Sequence, residues 1–430
     1  MLGGLGTLMY SVLMETASAH TSRGDVERLI GSYDNQMNMQ ATKSITNQIN
    51  IRSFQVDIQQ TVLDDLHQRL ARTRWPDEIE DAGWDYGTNL NYLKMLVAYW
   101  QNQFDWRMQE TLLNQFAHFR AQIDGFGIHF IHERGKGPKP LPIIITHGWP
   151  SSFFEMLKII PLLTDPAQYG GDAADSFDVI VPSLPGFGFS DRPHERGMTL
   201  ARTAELWAQL MTDGLGYQRF AATGGDFGSG VSRLLALSQP DRLIGIYLPY
   251  IGYPTLNADR SNLSEAEKKY LNAVEEWLRK EGGYSAIQST KPQTLAYGLN
   301  DSPVGLAAWI VEKFRSLSDC DGDVERRFSK DELLTNIMIY WITQTINSSI
   351  RTYYENISVP PPLKPGQHIE VPAGVAIFPK EPNLPPREWA ERSLRVQRWT
   401  QMPRGGHFAA MEEPALLVDE IRTFFRPLRD

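Results

Sequence analysis

Apolar residues recur along the chain with two different periods, and the change from one to the other divides it. Val62, Leu63, Leu66 and Leu70 fall three or four positions apart, the spacing that lines one face of a helix. That pattern closes at Arg74-Trp75-Pro76, where proline ends a helix. Two further helices are predicted over 92–103 and 106–114, so residues 51–125 read as an α-rich N-terminal domain. Short apolar runs, mostly rich in β-branched or aromatic residues, then take over at 127–132, 141–146, 177–181, 217–223 and 244–247. Helical stretches such as 153–163 and 203–214 separate several of them. Strands alternating with helices predict a mostly parallel sheet covered on both faces.

After Pro254 the pattern turns helical. Ser264-Glu265-Ala266-Glu267 and Ser329-Lys330-Asp331-Glu332 are capping boxes that start two helices, and Pro292 and Pro303 stand where first helical turns would begin. A proline-rich segment at 359–365 leads back to strand patterns at 375–378 and 394–399, and 414–425 reads as a closing helix. The predicted architecture is therefore α/β. Residues 126–254 and 366–430 form a mostly parallel central sheet, and a helical lid, 255–365, is inserted before its last two strands. Such a lid would stand over the carboxyl ends of the strands, where ligands bind in open α/β sheets. Residues 1–50 are rich in Ser, Thr, Asn, Gln and Met, lack periodicity, and are expected to be a flexible extension.

Composition narrows the partners. The net charge of −9 argues against nucleic acid or an acidic membrane surface as partner. No apolar run is long enough to span a bilayer. The first nineteen residues lack Lys or Arg and contain Glu15, so a soluble, cytoplasmic protein is expected, with secretion the lesser reading. Cys320, the single cysteine, excludes an internal disulfide. The histidines show no metal-ligand spacing; His129 and His132, three apart on an expected strand, read as structural.

Chemistry enters at Gly224-Gly225-Asp226-Phe227-Gly228, between an apolar strand and a helix. A strand, a sharp glycine-flanked turn and a helix form a nucleophile elbow, and here an aspartate stands where serine is usual. A carboxylate attacking an acyl group would form a reactive anhydride. Attacking an sp3 carbon, it forms an ordinary alkyl ester that water can cleave. The expected electrophiles are thus epoxides or alkyl halides. The ester needs a base to activate water, supplied by a histidine late in the chain and oriented by an acid between the two. His407, in Arg404-Gly405-Gly406-His407-Phe408 before the final helix, fits the base, and Glu381, just past the strand at 375–378, fits the acid. The Phe227 amide and that of Trp149, in His147-Gly148-Trp149-Pro150, are the candidate oxyanion donors; losing one such donor typically costs ~3 kcal/mol of barrier. An epoxide oxygen would also need an acid protonated at neutral pH, which suits tyrosine. Tyr270, Tyr284, Tyr297, Tyr340, Tyr353 and Tyr354 all lie in the lid segment, and these considerations leave the choice among them open.

Several segments, in order, resemble the microsomal-type epoxide hydrolases of the α/β-hydrolase superfamily, from about Phe54 to the C-terminus. They are Ala71-Arg72-Thr73-Arg74-Trp75-Pro76-Asp77, Thr146-His147-Gly148-Trp149-Pro150, Ser183-Leu184-Pro185-Gly186-Phe187-Gly188-Phe189, Gly224-Gly225-Asp226-Phe227-Gly228-Ser229, Asn300-Asp301-Ser302-Pro303-Val304-Gly305-Leu306-Ala307 and Gly405-Gly406-His407-Phe408. The resemblance implies an N-terminal domain that wraps core and lid, Asp226 as nucleophile, Glu381 and His407 as the charge-relay pair, and two lid tyrosines as epoxide activators. The segment beginning Gly283-Tyr284-Ser285 is similar to the family's first tyrosine segment, and Arg351-Thr352-Tyr353-Tyr354-Glu355-Asn356 to its second. That alignment favours Tyr353 over Tyr354, which lies about 100° away on a helix. The chain departs from the family at Phe227, where tryptophan is common, and in residues 1–50, which do not resemble its membrane anchor. The implied activity is hydrolysis of an apolar or aryl epoxide to a vicinal diol, with Trp149, Phe227, Tyr284 and Tyr353 contacting substrate. The expected partners are a small epoxide and water, without cofactor, metal, nucleic acid or stable membrane span; a homodimer is left open. A haloalkane dehalogenase using the same triad and a catalytically silent hydrolase-fold binding protein are the alternatives.

Overall fold

Nine strands join in one sheet in a computed structural model of the protein, which describes residues 49–252, 260–359, 366–382 and 384–429. They are β1 (Asn50–Ser53), β2 (His118–Ile123), β3 (Phe126–Glu133), β4 (Leu141–Thr146), β5 (Phe177–Pro182), β6 (Phe220–Gly224), β7 (Leu243–Leu248), β8 (Ile369–Ile377) and β9 (Leu394–Gln401). Their order is β1-β2-β3-β5-β4-β6-β7-β8-β9. The run from β5 to β9 is parallel, and β1, β2 and β3 extend it as an antiparallel edge. Residues 1–48, the break at Pro254 and 360–365 of the proline-rich return lie outside the described residues.

The central strands are buried on both faces, which is why they read as unbroken apolar runs: every residue of β5 and β6 is buried. Two strands have no counterpart in the sequence reading. β2 carries Arg120 and Gln122 and is only partly buried, so it lacks a clear apolar signature. Its hairpin with β3 turns at Asp124 and Gly125, both at positive φ (51° and 78°), as a two-residue type I′ turn requires. The Asp-Gly pair was the available signal. β1 is four residues long, mostly exposed, and exists by pairing with β2. β6 begins later than expected, at Phe220, and the Tyr217 amide donates instead to the Met211 carbonyl (2.8 Å) of the preceding helical segment. The helix expected over 153–163 is broken into a 3-10 turn, Phe153–Met156, and a short helix, Ile159–Thr164.

Between β7 and β8 the described chain is helical from Glu265 to Ile357. Both capping boxes form, at Ser264 and Ser329, and both prolines open helices. The helix Lys330–Thr343 is buried continuously from Leu333 to Trp341, as expected of an element covered on all sides. Tyr340 donates to the Ser151 carbonyl (2.6 Å), Asn336 to the Pro150 carbonyl (2.8 Å), and Ser152 to the Asn336 side chain (2.9 Å), so this helix holds the loop that follows β4.

The turn between β6 and the helix Asp226–Ser238 sits against the end of β4. A Cβ on Gly228 would lie 1.9 Å, and one on Gly224 2.2 Å, from the Thr146 carbonyl oxygen, whereas one on Gly225 would meet open space. The crowding therefore falls two residues either side of Asp226 rather than on the glycine directly before it. Gly228→Ala is expected to destabilise the fold by about 3 kcal/mol or more, because backbone must move, and Gly225→Ala by only about 1 kcal/mol or less. Urea denaturation midpoints check this, and equal losses would contradict it.

Candidate active site

Asp226 opens its helix with φ of 47°, a left-handed conformation that a non-glycine residue holds only when its surroundings impose it. The turn projects the carboxylate at the loop after β4, the neighbouring strand, where Thr146 pairs with Gly224. The Trp149 amide donates to Oδ1 at 2.9 Å, and the Phe227 amide also bonds the carboxylate. The approach is close enough that a Cβ on Gly148 would come within 2.3 Å of Oδ1.

The peptide that supplies the Trp149 donor is held from behind. Its Gly148 carbonyl accepts from His147 Nδ1 (3.0 Å) and lies 3.2 Å from Ser151 Oγ, while His147 Nε2 accepts from the Leu184 amide (3.2 Å). This pattern requires the proton on Nδ1, with Nε2 bare. Burial agrees, lowering the His147 pKa to about 4. Ser151 also bonds Glu155, at 2.5 Å. Burial pushes the Glu155 carboxyl up to about 7, against the Ser151 bond that favours ionisation.

Glu381 follows β8 and His407 follows β9, so both reach the same end of the sheet as Asp226. Glu381 Oε2 lies 2.8 Å from His407 Nδ1, and His407 Nε2 lies 3.8 Å from Asp226 Oδ2. The His407 loop is pinned to the lid: its amide donates to the Leu317 carbonyl (2.9 Å), and the Gly405 amide to Asp319 (2.9 Å). Burial by itself would discharge the imidazole, but Glu381, then Asp226 and Glu155, outweigh it and raise its pKa to about 10. Burial raises the Asp226 pKa, opposed by His407 and the two amides.

Over this floor stand two tyrosines from separate lid helices, Tyr284 from Gly283–Thr290 and Tyr353 from Ile346–Ile357. Their hydroxyls interact, and their rings meet edge to face at 6.2 Å between centroids. Tyr284 stacks on Trp149 (5.4 Å), and Phe227 meets Tyr353 edge to face (4.9 Å). Burial, then the Asp226 charge for Tyr284, pushes both phenols above their ordinary pKa, so both keep their protons at neutral pH. The other lid tyrosines go elsewhere. Tyr340 is engaged with Ser151, Tyr270 packs on Trp389, and Tyr297 and Tyr354 are 73% and 38% exposed.

All seven residues singled out from the sequence thus converge at one end of the sheet. Sequence reasoning missed Glu155 and Lys313, whose ammonium lies 4.7 Å over the Tyr284 ring. A charge inside the apolar helix Pro303–Leu317 was the signal for Lys313; Glu155 gave none. Chemically, the arrangement offers an anionic nucleophile, a base with its orienting acid, two amide donors, and two protonated phenols in an aromatic enclosure.

Comparison with known proteins points the same way. Residues 51–156 match the family described as Epoxide hydrolase N terminus, and 142–303 the alpha/beta hydrolase fold. The chain is 46% identical over 383 residues to a Stigmatella aurantiaca protein provisionally named an epoxide hydrolase, covering 88% of this chain and 86% of that one. It is 40% identical over 408 residues to Epoxide hydrolase 1 of Sus scrofa, covering 87% and 88%. The Aspergillus niger epoxide hydrolase structure superposes with a TM-score of 0.76 at 29% identity, covering 89% of this chain and 97% of that one.

The trio sets a pH expectation. Because the folded pKa of His407, about 10, exceeds its ordinary 6.5, its ion pairs stabilise the fold fully below about pH 6.5 and lose that contribution as pH rises through about 10. In an NMR titration the His407 ring of the free protein should deprotonate only well above neutral pH, and at least ~1 unit lower in Glu381→Gln. An unchanged midpoint would show that Glu381 does not hold the proton.

Proposed function

The chain belongs to the epoxide hydrolase family, and we propose that it opens an apolar or aryl epoxide to a vicinal diol through an alkyl ester on Asp226. Tyr284 and Tyr353 hydrogen-bond the epoxide oxygen while an Asp226 oxygen attacks a ring carbon. The C–O bond breaks, its electron pair passes to the ring oxygen, and that oxygen takes a proton from a phenol. The Asp226 charge is then gone, and with it one of the anions that held the His407 proton. The imidazolium accordingly gives its proton back to the phenolate, through solvent, and becomes a base.

Water then attacks the ester carbonyl and yields one proton to His407. The Trp149 and Phe227 amides receive the oxyanion, and collapse expels the second diol oxygen, which takes the remaining water proton. Asp226 returns as a carboxylate carrying one oxygen from water. Glu381 holds the imidazole in the orientation this step needs.

The reading rests on one observation: the Asp226 carboxylate bonds the Trp149 amide at 2.9 Å, has the His407 imidazole at 3.8 Å, and is overlooked by paired, partly buried phenols. The aromatic enclosure of Trp149, Phe227, Tyr284 and Tyr353 supports an apolar or aryl substrate.

With the base removed, His407→Gln should stall after the first half-reaction. Exposed to an aryl epoxide, it is expected to gain the mass of the whole epoxide on the peptide bearing Asp226; adduct from a matched alkyl bromide alone would point to dehalogenation instead. Replacing Tyr284 and Tyr353 together by Phe should remove nearly all epoxide turnover. Survival above about a tenth of the wild-type rate, roughly 1.4 kcal/mol of barrier, would remove them as the acids.

A further inference from the structure

We propose that Lys313 is a positioning residue that acts through Tyr284, its ammonium over the phenol ring stabilising the negative charge that ring acquires as it gives its proton to the substrate oxygen. The proposal rests on the donor role assigned to Tyr284. Lysine is rarely buried unless something holds it there, yet Lys313 is only 4% exposed, amid Ile310, Val311 and Phe314 of the helix Pro303–Leu317. Its Nζ lies 2.8 Å from Glu312 Oε2, 3.5 Å from Glu281 Oε2 and 4.7 Å from the Tyr284 ring centroid. The two carboxylates fix the ammonium in place, and the ring lies within the reach of a cation–π contact.

A neutral phenol draws on that cation only through its quadrupole, whereas a phenolate draws on it through a full charge. The interaction therefore strengthens as the proton leaves, which is the condition for speeding a chemical step. It is also needed. Burial, Asp226, Glu381 and Glu312 oppose ionisation of Tyr284, the hydrogen bond with Tyr353 favours it, and Lys313 is the cation placed over that ring. Among the described residues no cation lies over the Tyr353 ring, which faces Trp149, Phe227 and Tyr284; the two phenols therefore differ, and Tyr284 is the one equipped to carry charge.

The test is single-turnover kinetics with an aryl epoxide, resolving formation of the Asp226 ester from its hydrolysis across pH. Lys313→Met keeps the length and apolar stem of the side chain without the charge, Lys313→Arg restores the charge, and Lys313→Met with Glu312→Gln avoids leaving an unbalanced carboxylate. Both Met variants are expected to slow ester formation about tenfold or more, with hydrolysis of the ester changed less than about twofold and Lys313→Arg close to wild type. Rescue by Lys313→Arg is a result that mere loss of packing would not produce. In a Tyr284→Phe background Lys313→Met should add nothing further. Unchanged ester formation, equal slowing of both steps, no rescue by Lys313→Arg, or a full Lys313→Met effect in the Tyr284→Phe background would overturn the proposal. If Tyr284→Phe alone left ester formation intact, the donor role would fail first and the proposal with it.

Discussion

Two carboxylates, one buried and one half-buried, stand on either side of one imidazole and govern the rest of this structure. Burial alone would discharge His407, and the carboxylates of Glu381 and Asp226 on either side hold its proton instead. The distances are unequal. Glu381 makes a hydrogen bond at 2.8 Å, while Asp226 stands off at 3.8 Å with its oxygens turned to the amides of Trp149 and Phe227. The nearer pair fixes the ring, and the farther one is left available to react. Under the proposed mechanism, neutralising Asp226 is also what releases the imidazole to act as a base, so the first half-reaction prepares the second without any movement of the chain.

This balance demands precise backbone, and sheet and lid supply it jointly. Strand order brings the ends of β4 and β6 side by side and those of β8 and β9 two and three strands away, so that four loops meet over one patch. The elbow can lie against β4 only because Gly224 and Gly228 present no Cβ to the Thr146 carbonyl. From above, the helix Lys330–Thr343 bonds the carbonyls of Pro150 and Ser151, and the end of Pro303–Leu317 accepts the His407 amide. The lid is therefore part of the frame of the site as well as its roof. Lys313 belongs to the same helix that anchors His407, so one element reaches both the base and a phenol.

Much of this was legible beforehand. The central strands announced themselves because parallel strands covered on both faces must be apolar throughout, and the lid helices because their caps are local hydrogen-bond signals. β1 and β2 did not, since an edge strand half open to solvent owes its conformation to its partner more than to its own residues. Glu155 was silent for a similar reason: nothing local distinguishes a glutamate that will be buried against Ser151 from one left in solvent.

The order and identity of the groups proposed to react were legible in the chain itself. An aspartate at a glycine-flanked turn, an acid past a later strand and a histidine in the last loop follow from covalent sequence and from the chemistry each side chain can do. Which phenols join them did not follow from side-chain chemistry; only the family resemblance pointed to Tyr284 and Tyr353. Six lid tyrosines share one side-chain chemistry, and only packing buries Tyr284 and Tyr353 against Trp149 and Phe227 while leaving Tyr297 and Tyr354 outside and engaging Tyr340 with a carbonyl. Proton affinities were likewise a tertiary outcome, because they depend on burial and on charges brought together from distant parts of the chain, as Glu381, His407 and Asp226 are.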